Sequence, residues 1–299
     1  MNSPTINAPS IASSAVLIDL SISCWTGRKL DKRASNDVTA QNNAAKGVAN
    51  VHKKLLGDCA ELDAVQKFTA NARNVHYACT MPWSDTGLRL LPTTQYFKYH
   101  QEMTALQSEY QRLVQAFLDA YAWEIQNAQL KLGALFNPDE YPTADSLISK
   151  FRFKMNYMPL PDAGDWRVDI SNEAKDTLTT QYASFYETQL KEAMGDVWRR
   201  AHDAVSKMSE RLDYGTDANA TKKVFRDTLV DNMHAVIELM GACNVTNDPQ
   251  MSDAQRKLEL ALDGVTPDAL REDAYLRVQT KQRVDEVKKI IDNLPGLGF

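Results

Sequence analysis

The stretch TQYFKYHQEMTALQSEYQRLVQAFLDAYAWEIQNAQLKL, Thr94–Leu132, decides the fold class of this chain. Tyr99, Met103, Leu106, Tyr110, Leu113, Phe117 and Ala120 recur at alternating steps of four and three, the spacing of a coiled-coil-like stripe along one helix face. Pro92 stands before the stretch, and Gly133 with the Asn137-Pro138-Asp139 turn ends it. Beyond Ala120 the expected stripe positions hold Glu124 and Asn127, while Tyr121, Ile125, Ala128 and Leu132 continue on a neighbouring row. That drift predicts packing against something wider than one helix, either a multi-helix bundle or an oligomer interface.

A second long helix is predicted over Ser171–Tyr214, opening on a good N-cap serine and stopping at Gly215. Its stripe is Leu178, Tyr182, Phe185, Gln189, Ala193, Val197, Ala201, Ala204, Met208 and Leu212. A helix of about 40 residues is about 60 Å long, more than a compact domain of this size is wide. Between the two helices, Phe151, Phe153, Met155 and Tyr157 alternate with Arg152, Lys154 and Asn156, the period of a strand with one apolar face. After a turn at 159–164, Trp166–Ile170 reads as the returning strand of a hairpin. The fold expected is mainly α: two long amphipathic helices forming an antiparallel arm with a small β-hairpin near 151–170, a bundle of shorter helices and a minor β element.

The remaining segments place themselves around this arm. Residues 1–14 read as a flexible N-terminal arm, and 15–92 as a strand, a basic loop and a helical segment. Residues 93–215 form the long-helix arm, and 216–299 a short-helix segment packing with the N-terminal part. Within 15–92, Ala15–Ser23 is apolar and β-branched, 36–56 is helix-tolerant despite Gly47, and 60–78 carries Leu62, Val65, Phe68, Ala72 and Val75 on one face. Toward the end, helices are predicted over 221–242, from a Ser252/Gln255 capping box to 263, and from Thr266-Pro267 to 293.

Bulk composition bounds the function classes. Among 299 residues, 43% are apolar and 24% charged, which is ordinary for a folded chain and argues against wholesale disorder. A formal net charge of −5, with both signs mixed along the chain, argues against a dedicated duplex-nucleic-acid binder. Cys24, Cys59, Cys79 and Cys243 contain no CxxC pair, so they read as free thiols of a reducing compartment. No signal peptide and no run of apolar residues long enough for a transmembrane helix is visible, so the expected location is cytoplasmic.

The chemistry-bearing residues are few. Gly27-Arg28-Lys29 follows a predicted strand, where a phosphate loop would sit, but Ile22, Ser23 and Cys24 precede it and Leu30 follows the lysine, so the Walker pattern fails. Arg28, Lys29, Lys32 and Arg33 remain a basic loop, read either as solvated or as a grip for an acidic partner or phosphate backbone. His52, His76, His100, His202 and His234 offer no helical HxxxH pair. His76 lies three residues before Cys79, a faint nucleophile pattern without an oxyanion site. Asp162, Asp165 and Asp169 lack the spacing of a calcium loop, and Trp83, Trp123, Trp166 and Trp198 are explained by packing. No catalytic residue, cofactor or metal ligand is assigned.

The segments VLIDLSISCWTGRK (Val16–Lys29), MPWSDTGLRLLP (Met81–Pro92) and QYFKY (Gln95–Tyr99) resemble an uncharacterised protein family of proteobacteria and tailed phages. Genes of that family often lie near one for a cobaltochelatase-type, MoxR-like AAA+ ATPase. The resemblance therefore implies a phage-encoded accessory role beside a remodelling motor, and it supplies no catalytic residues. The function expected is that of a non-enzymatic interaction or oligomerisation protein. Its helix interface would draw on Tyr99, Met103, Leu106, Tyr110, Leu113, Phe117, Phe185, Val197, Met208 and Leu212. The alternatives are a nucleic-acid-associated protein using the loop at 28–33, or an enzyme with an unrecognised site.

Overall fold

The computed structural model describes residues 11–161, 171–213 and 226–295. In chain order the elements are β1 (Ala15–Ser23), β2 (Arg28–Leu30), α1 (Lys32–Gln41), β3 (His52–Lys54), α2 (Ala60–Cys79), β4 (Met81–Pro82), β5 (Arg89–Pro92) and α3 (Tyr96–Leu132). They continue as α4 (Ala144–Ile148), β6 (Arg152–Pro159), α5 (Asn172–Leu212), α6 (Thr228–Cys243), α7 (Pro249–Leu262), α8 (Pro267–Glu272) and α9 (Ala274–Asp292). The chain is mainly helical with a small antiparallel sheet, as its sequence leads one to expect. Among the described residues no helix is long and apolar enough to cross a membrane.

The chain divides into two compact units. The first comprises residues 1–19, 79–97 and 156–299; the second comprises 20–78 and 98–155. The sheet runs in the order β4-β5-β1-β6. β1 lies antiparallel to β5 with Val16 opposite Leu91 and Leu17 opposite Leu90, while Met81 of β4 faces Leu90 from the other side. Successive strand residues point to opposite faces, and Leu17 and Ile18 are both buried, so β1 is covered on both sides. That two-sided burial matches the unbroken apolar run at residues 15–18, after which Asp19, Leu20, Ser21, Ile22 and Ser23 alternate.

The core of the first unit is a helical bundle in which α5 packs on α6 and α9, and α7 packs on α6 and α9. α5 contributes Ala193, Val197, Trp198, Ala201, Val205, Met208 and Leu212; Met233 and Met240 of α6, Leu258 of α7, Val284, Val287 and Ile291 of α9, and Ala15 and Leu17 of β1 pack with them. Ser171 caps α5 by accepting from the Ala174 N–H. Among the described residues, α5 holds no buried side chain before Ala193, whereas from Ala193 onward most of its stripe is buried.

In the second unit the stripe of α3 is the core. Tyr99, Met103, Tyr110, Phe117, Tyr121, Glu124 and Ala128 are buried on it, with Leu106 and Leu113 half-buried. After Phe117 the buried row steps four residues to Tyr121, not three to Ala120. This single stutter keeps a helix of 3.6 residues per turn facing the same neighbours. Around Phe117 the ring centroids of Trp25, Tyr121 and Phe151 lie at 6.1, 5.8 and 5.7 Å. Polar tips escape orphanhood: the Tyr110 hydroxyl donates to the Ser23 carbonyl at 2.6 Å, and that of Tyr121 to the Pro142 carbonyl at 2.9 Å.

Several expectations need correction. The two long helices fall in different units, and in the first of them α5 lies against α6 and α9, so its stripe meets more than one neighbouring helix. β6 takes its place beside β1 in the sheet, and the hairpin partner expected at Trp166–Ile170 lies outside the described residues, as do Asp162, Asp165 and Asp169. The helix expected over 36–56 begins earlier, at Lys32, because Asp31 caps it by accepting from the Ala34 N–H; it ends at Gln41, before Asn43 takes a φ of +50°. Capping of α7 belongs to Asp248, which accepts from the Gln250 N–H, and not to Ser252. The last helix is two, because the Asp273 carboxylate accepts from the N–H groups of Tyr275 and Leu276 and starts α9 afresh.

Candidate functional site

Three places in the molecule bear on function, and all three lie within the second unit. The first is the basic segment. Arg28 and Lys29 stand on β2, paired antiparallel with β3 so that Arg28 faces Lys54 and Lys29 faces Lys53; Lys32 and Arg33 begin α1. All four are exposed. A fifth cation that the sequence reading passed over is the one built in. The Lys53 side chain is only 8% exposed and its ammonium lies 2.7 Å from Glu140 and 3.2 Å from Asp31, while donating to the Leu135 carbonyl at 2.8 Å. Lys29 reaches the same Glu140 at 3.9 Å. The basic segment is thus interleaved with carboxylates, and its field is correspondingly reduced.

Asp31 sits below its ordinary value of 3.8, first because the Ala34 N–H donates to its carboxylate and then because Lys53 does. In the first unit Asp292 is lowered chiefly by the Lys288 hydrogen bond. Burial pushes Asp285 up, but hydrogen bonds from Lys281 and Ser209 outweigh it and the net shift is downward. A carboxyl with a depressed folded-state pKa stabilises the fold above its unfolded value and loses that contribution as pH falls through the folded one. Stability toward urea is therefore expected to hold near neutrality and to fall as pH drops below about 4. An unchanged urea midpoint at pH 3 would contradict this account of the caps and ion pairs.

The second place is a groove of about 300 Å³ beside α3. Val114 and Leu118 of α3 line it together with Ile148, Phe151 and Phe153, and Gln111 and Gln115 stand at its rim. Ile148, 53% exposed, ends α4 where Thr143 has capped it through the Ser146 N–H. Of the ten residues expected to form a helix interface, Tyr110 is on the floor of this groove. Tyr99, Met103, Phe117, Val197, Met208 and Leu212 are buried inside their units, Leu106 and Leu113 are half-buried, and Phe185 alone is exposed, at 48%.

The third place is a buried cluster at the start of α2. The Cys59 Sγ and one carboxylate oxygen from each of Glu61 and Glu124 all lie within 4.8 Å of one another, with Cys59 donating to Glu61 at 3.7 Å. Glu124 is 4% exposed and its Oε2 has no hydrogen-bond partner. Burying a carboxylate without compensation costs several kcal/mol. Burial is also the main influence on Cys59: it pushes the thiol up to about 11, against the Leu62 N–H and with the help of Glu124 and Glu61. A thiol held protonated is the opposite of what a nucleophile requires. The same cysteine borders a cavity of about 40 Å³, lined also by Gly27, Arg28, Lys54, Asp63 and Gln66, which has room for water but not for an organic ligand. Gly27 permits this closeness: its φ is +62°, and a Cβ there would stand 2.8 Å from Leu62 Cδ2.

Sequence reasoning placed Glu124 on the stripe of α3 without asking why a carboxylate should sit there; a charged residue in an apolar row was the signal. It missed Cys59, whose distance from Glu124 along the chain hides their meeting. The His76–Cys79 pattern takes a different form: His76 is buried and its Nδ1 lies 2.7 Å from the Tyr99 hydroxyl. Cys243 is likewise a packing thiol, pushed up to about 12 by burial. Trp83 and Trp198 are core residues, whereas Trp123 is exposed and Trp166 lies outside the described residues. No protein-family model, curated protein or solved structure matches the chain.

Proposed function

We propose that the protein is a non-enzymatic interaction protein that receives a partner protein in the groove beside α3. The observation that carries this reading is the groove itself: about 300 Å³ walled by Val114, Leu118, Ile148 and Phe151, with an isoleucine half in solvent at its edge. Open apolar grooves of this kind take the apolar face of an amphipathic helix, read through anchors at helical spacing. The family resemblance makes a MoxR-like AAA+ ATPase the first partner to try, and a second copy of this chain the next.

Co-expression of the tagged protein with such an ATPase, together with light scattering of the protein alone, tests this. A complex or an oligomer is expected. Ile148→Asp, at an exposed position that leaves the core intact, should weaken either one at least tenfold, about 1.4 kcal/mol. A monomer that captures no ATPase, or an association indifferent to Ile148→Asp, overturns the reading. The exposure of Arg28, Lys29, Lys32 and Arg33 favours a second one, a nucleic-acid-associated role. It calls for DNA retardation at low salt that disappears as salt rises.

A further inference from the structure

We propose that Cys59, Glu61 and Glu124 form a binding site for a zinc-class divalent cation. Geometry comes first. With bonds of about 2.3 Å to sulfur and about 2.0 Å to oxygen, the donors around a tetrahedral ion stand about 3.5 Å apart. Cys59 Sγ and Glu61 Oε2 are already at 3.7 Å, and no pair among the three donors exceeds 4.8 Å. The widest pair has at most about 1.3 Å to close, a shift of the size that side-chain torsions provide.

The need for an ion is independent of that spacing. Glu124 projects from a stripe otherwise built of Tyr99, Met103, Tyr110, Phe117, Tyr121 and Ala128, is buried to 4% exposure, and presents an Oε2 that no donor satisfies. Buried polar atoms in folded proteins are satisfied almost without exception, so such an oxygen calls for a ligand. Around it stand a thiol, whose one weak proton is turned to Glu61, and a second carboxylate, a set of three ligand atoms that one cation can take together.

Donor chemistry selects the ion. Magnesium and calcium take oxygen ligands and disfavour sulfur, whereas a thiolate with carboxylates suits zinc and its tetrahedral substitutes. On binding, the Cys59 S–H gives its proton to solvent as the sulfur–metal bond forms, and no electron changes hands. Three protein donors leave a fourth position for water or for a donor from outside the chain. The ion would fasten Cys59, just before α2, and Glu61 in its first turn to Glu124 in the last third of α3.

Cobalt titration of the full chain, stripped of metal beforehand, provides the test. Tetrahedral cobalt bound by thiolate is expected to give a near-ultraviolet charge-transfer band and visible ligand-field bands, both displaced by zinc. Cys59→Ser should abolish the charge-transfer band. Glu124→Gln and Glu61→Gln should each weaken zinc binding at least about tenfold. Circular dichroism identifies a variant that fails to fold, and Glu61, half-buried, keeps the test alive if substitution at the two buried positions unfolds the chain. Absence of the charge-transfer band in the folded wild-type protein overturns the proposal. So does metal binding that survives Cys59→Ser and Glu61→Gln, which would place the ion on surface histidines.

Discussion

Phe117→Ala is expected to lower stability by about 3–5 kcal/mol, the cost of removing a fully buried aromatic ring and leaving a cavity. Phe117 has no exposed surface, and it is the ring shared by Trp25, Tyr121 and Phe151, whose centroids lie within 6.1 Å of its own. These three come from the segment after β1, from α3 itself and from the approach to β6, so a single truncation loosens three connections at once. Because folded chains have only about 5–15 kcal/mol to lose, the variant should unfold well below the wild-type urea midpoint. Phe117→Leu, which keeps most of the volume, should cost less than half as much. A loss under 1 kcal/mol for the alanine variant would show that the cluster collapses around the cavity.

Val205→Asp is expected to have the larger effect and to leave little folded protein at 25 °C. Val205 is fully buried on α5, amid the bundle that α5 forms with α6 and α9. Asp285, on α9, already holds Lys281 and Ser209. A new carboxylate there has no partner, and an uncompensated buried charge costs several kcal/mol on top of the lost packing. Insolubility on expression, or loss of the cooperative thermal transition, is the expected readout. A cooperative transition within a few degrees of wild type would mean that the side chain reaches water, contrary to the burial seen.

The helical content and the long stripes were legible from periodicity because they are local: a helix writes its buried face into every third or fourth residue. For the same reason the extent of α3 and the strand β1 came through within two residues. What did not come through was set by non-local pairing. The Asp31 cap on α1 is a local bond that the sequence could have revealed, but its ion pair arises only because β3 brings Lys53 beside it. What covers each long stripe was not legible either, since an apolar row has the same sequence whether its cover is a neighbouring helix or a second molecule. The groove beside α3 is assembled from α3, α4 and the strand after it, and no single segment announces it. The Cys59–Glu61–Glu124 cluster joins two helices, and only its Glu124 half stood out, as a carboxylate in an apolar row.

The way the chain is shared between the two units has a consequence for the order of synthesis. The second unit is complete once residue 155 has been made, whereas the first draws on Ala15 and Leu17 near one end of the chain and on Ile291 near the other. Its core therefore waits for almost the entire polypeptide, with the apolar residues of β1 and β5 held unsatisfied until α6, α7 and α9 arrive. Contacts that distant in sequence are slow to close and leave apolar surface open in the meantime. A nascent chain of this protein is thus a ready client for holding factors on the ribosome, and late truncations should do more harm to the first unit than to the second.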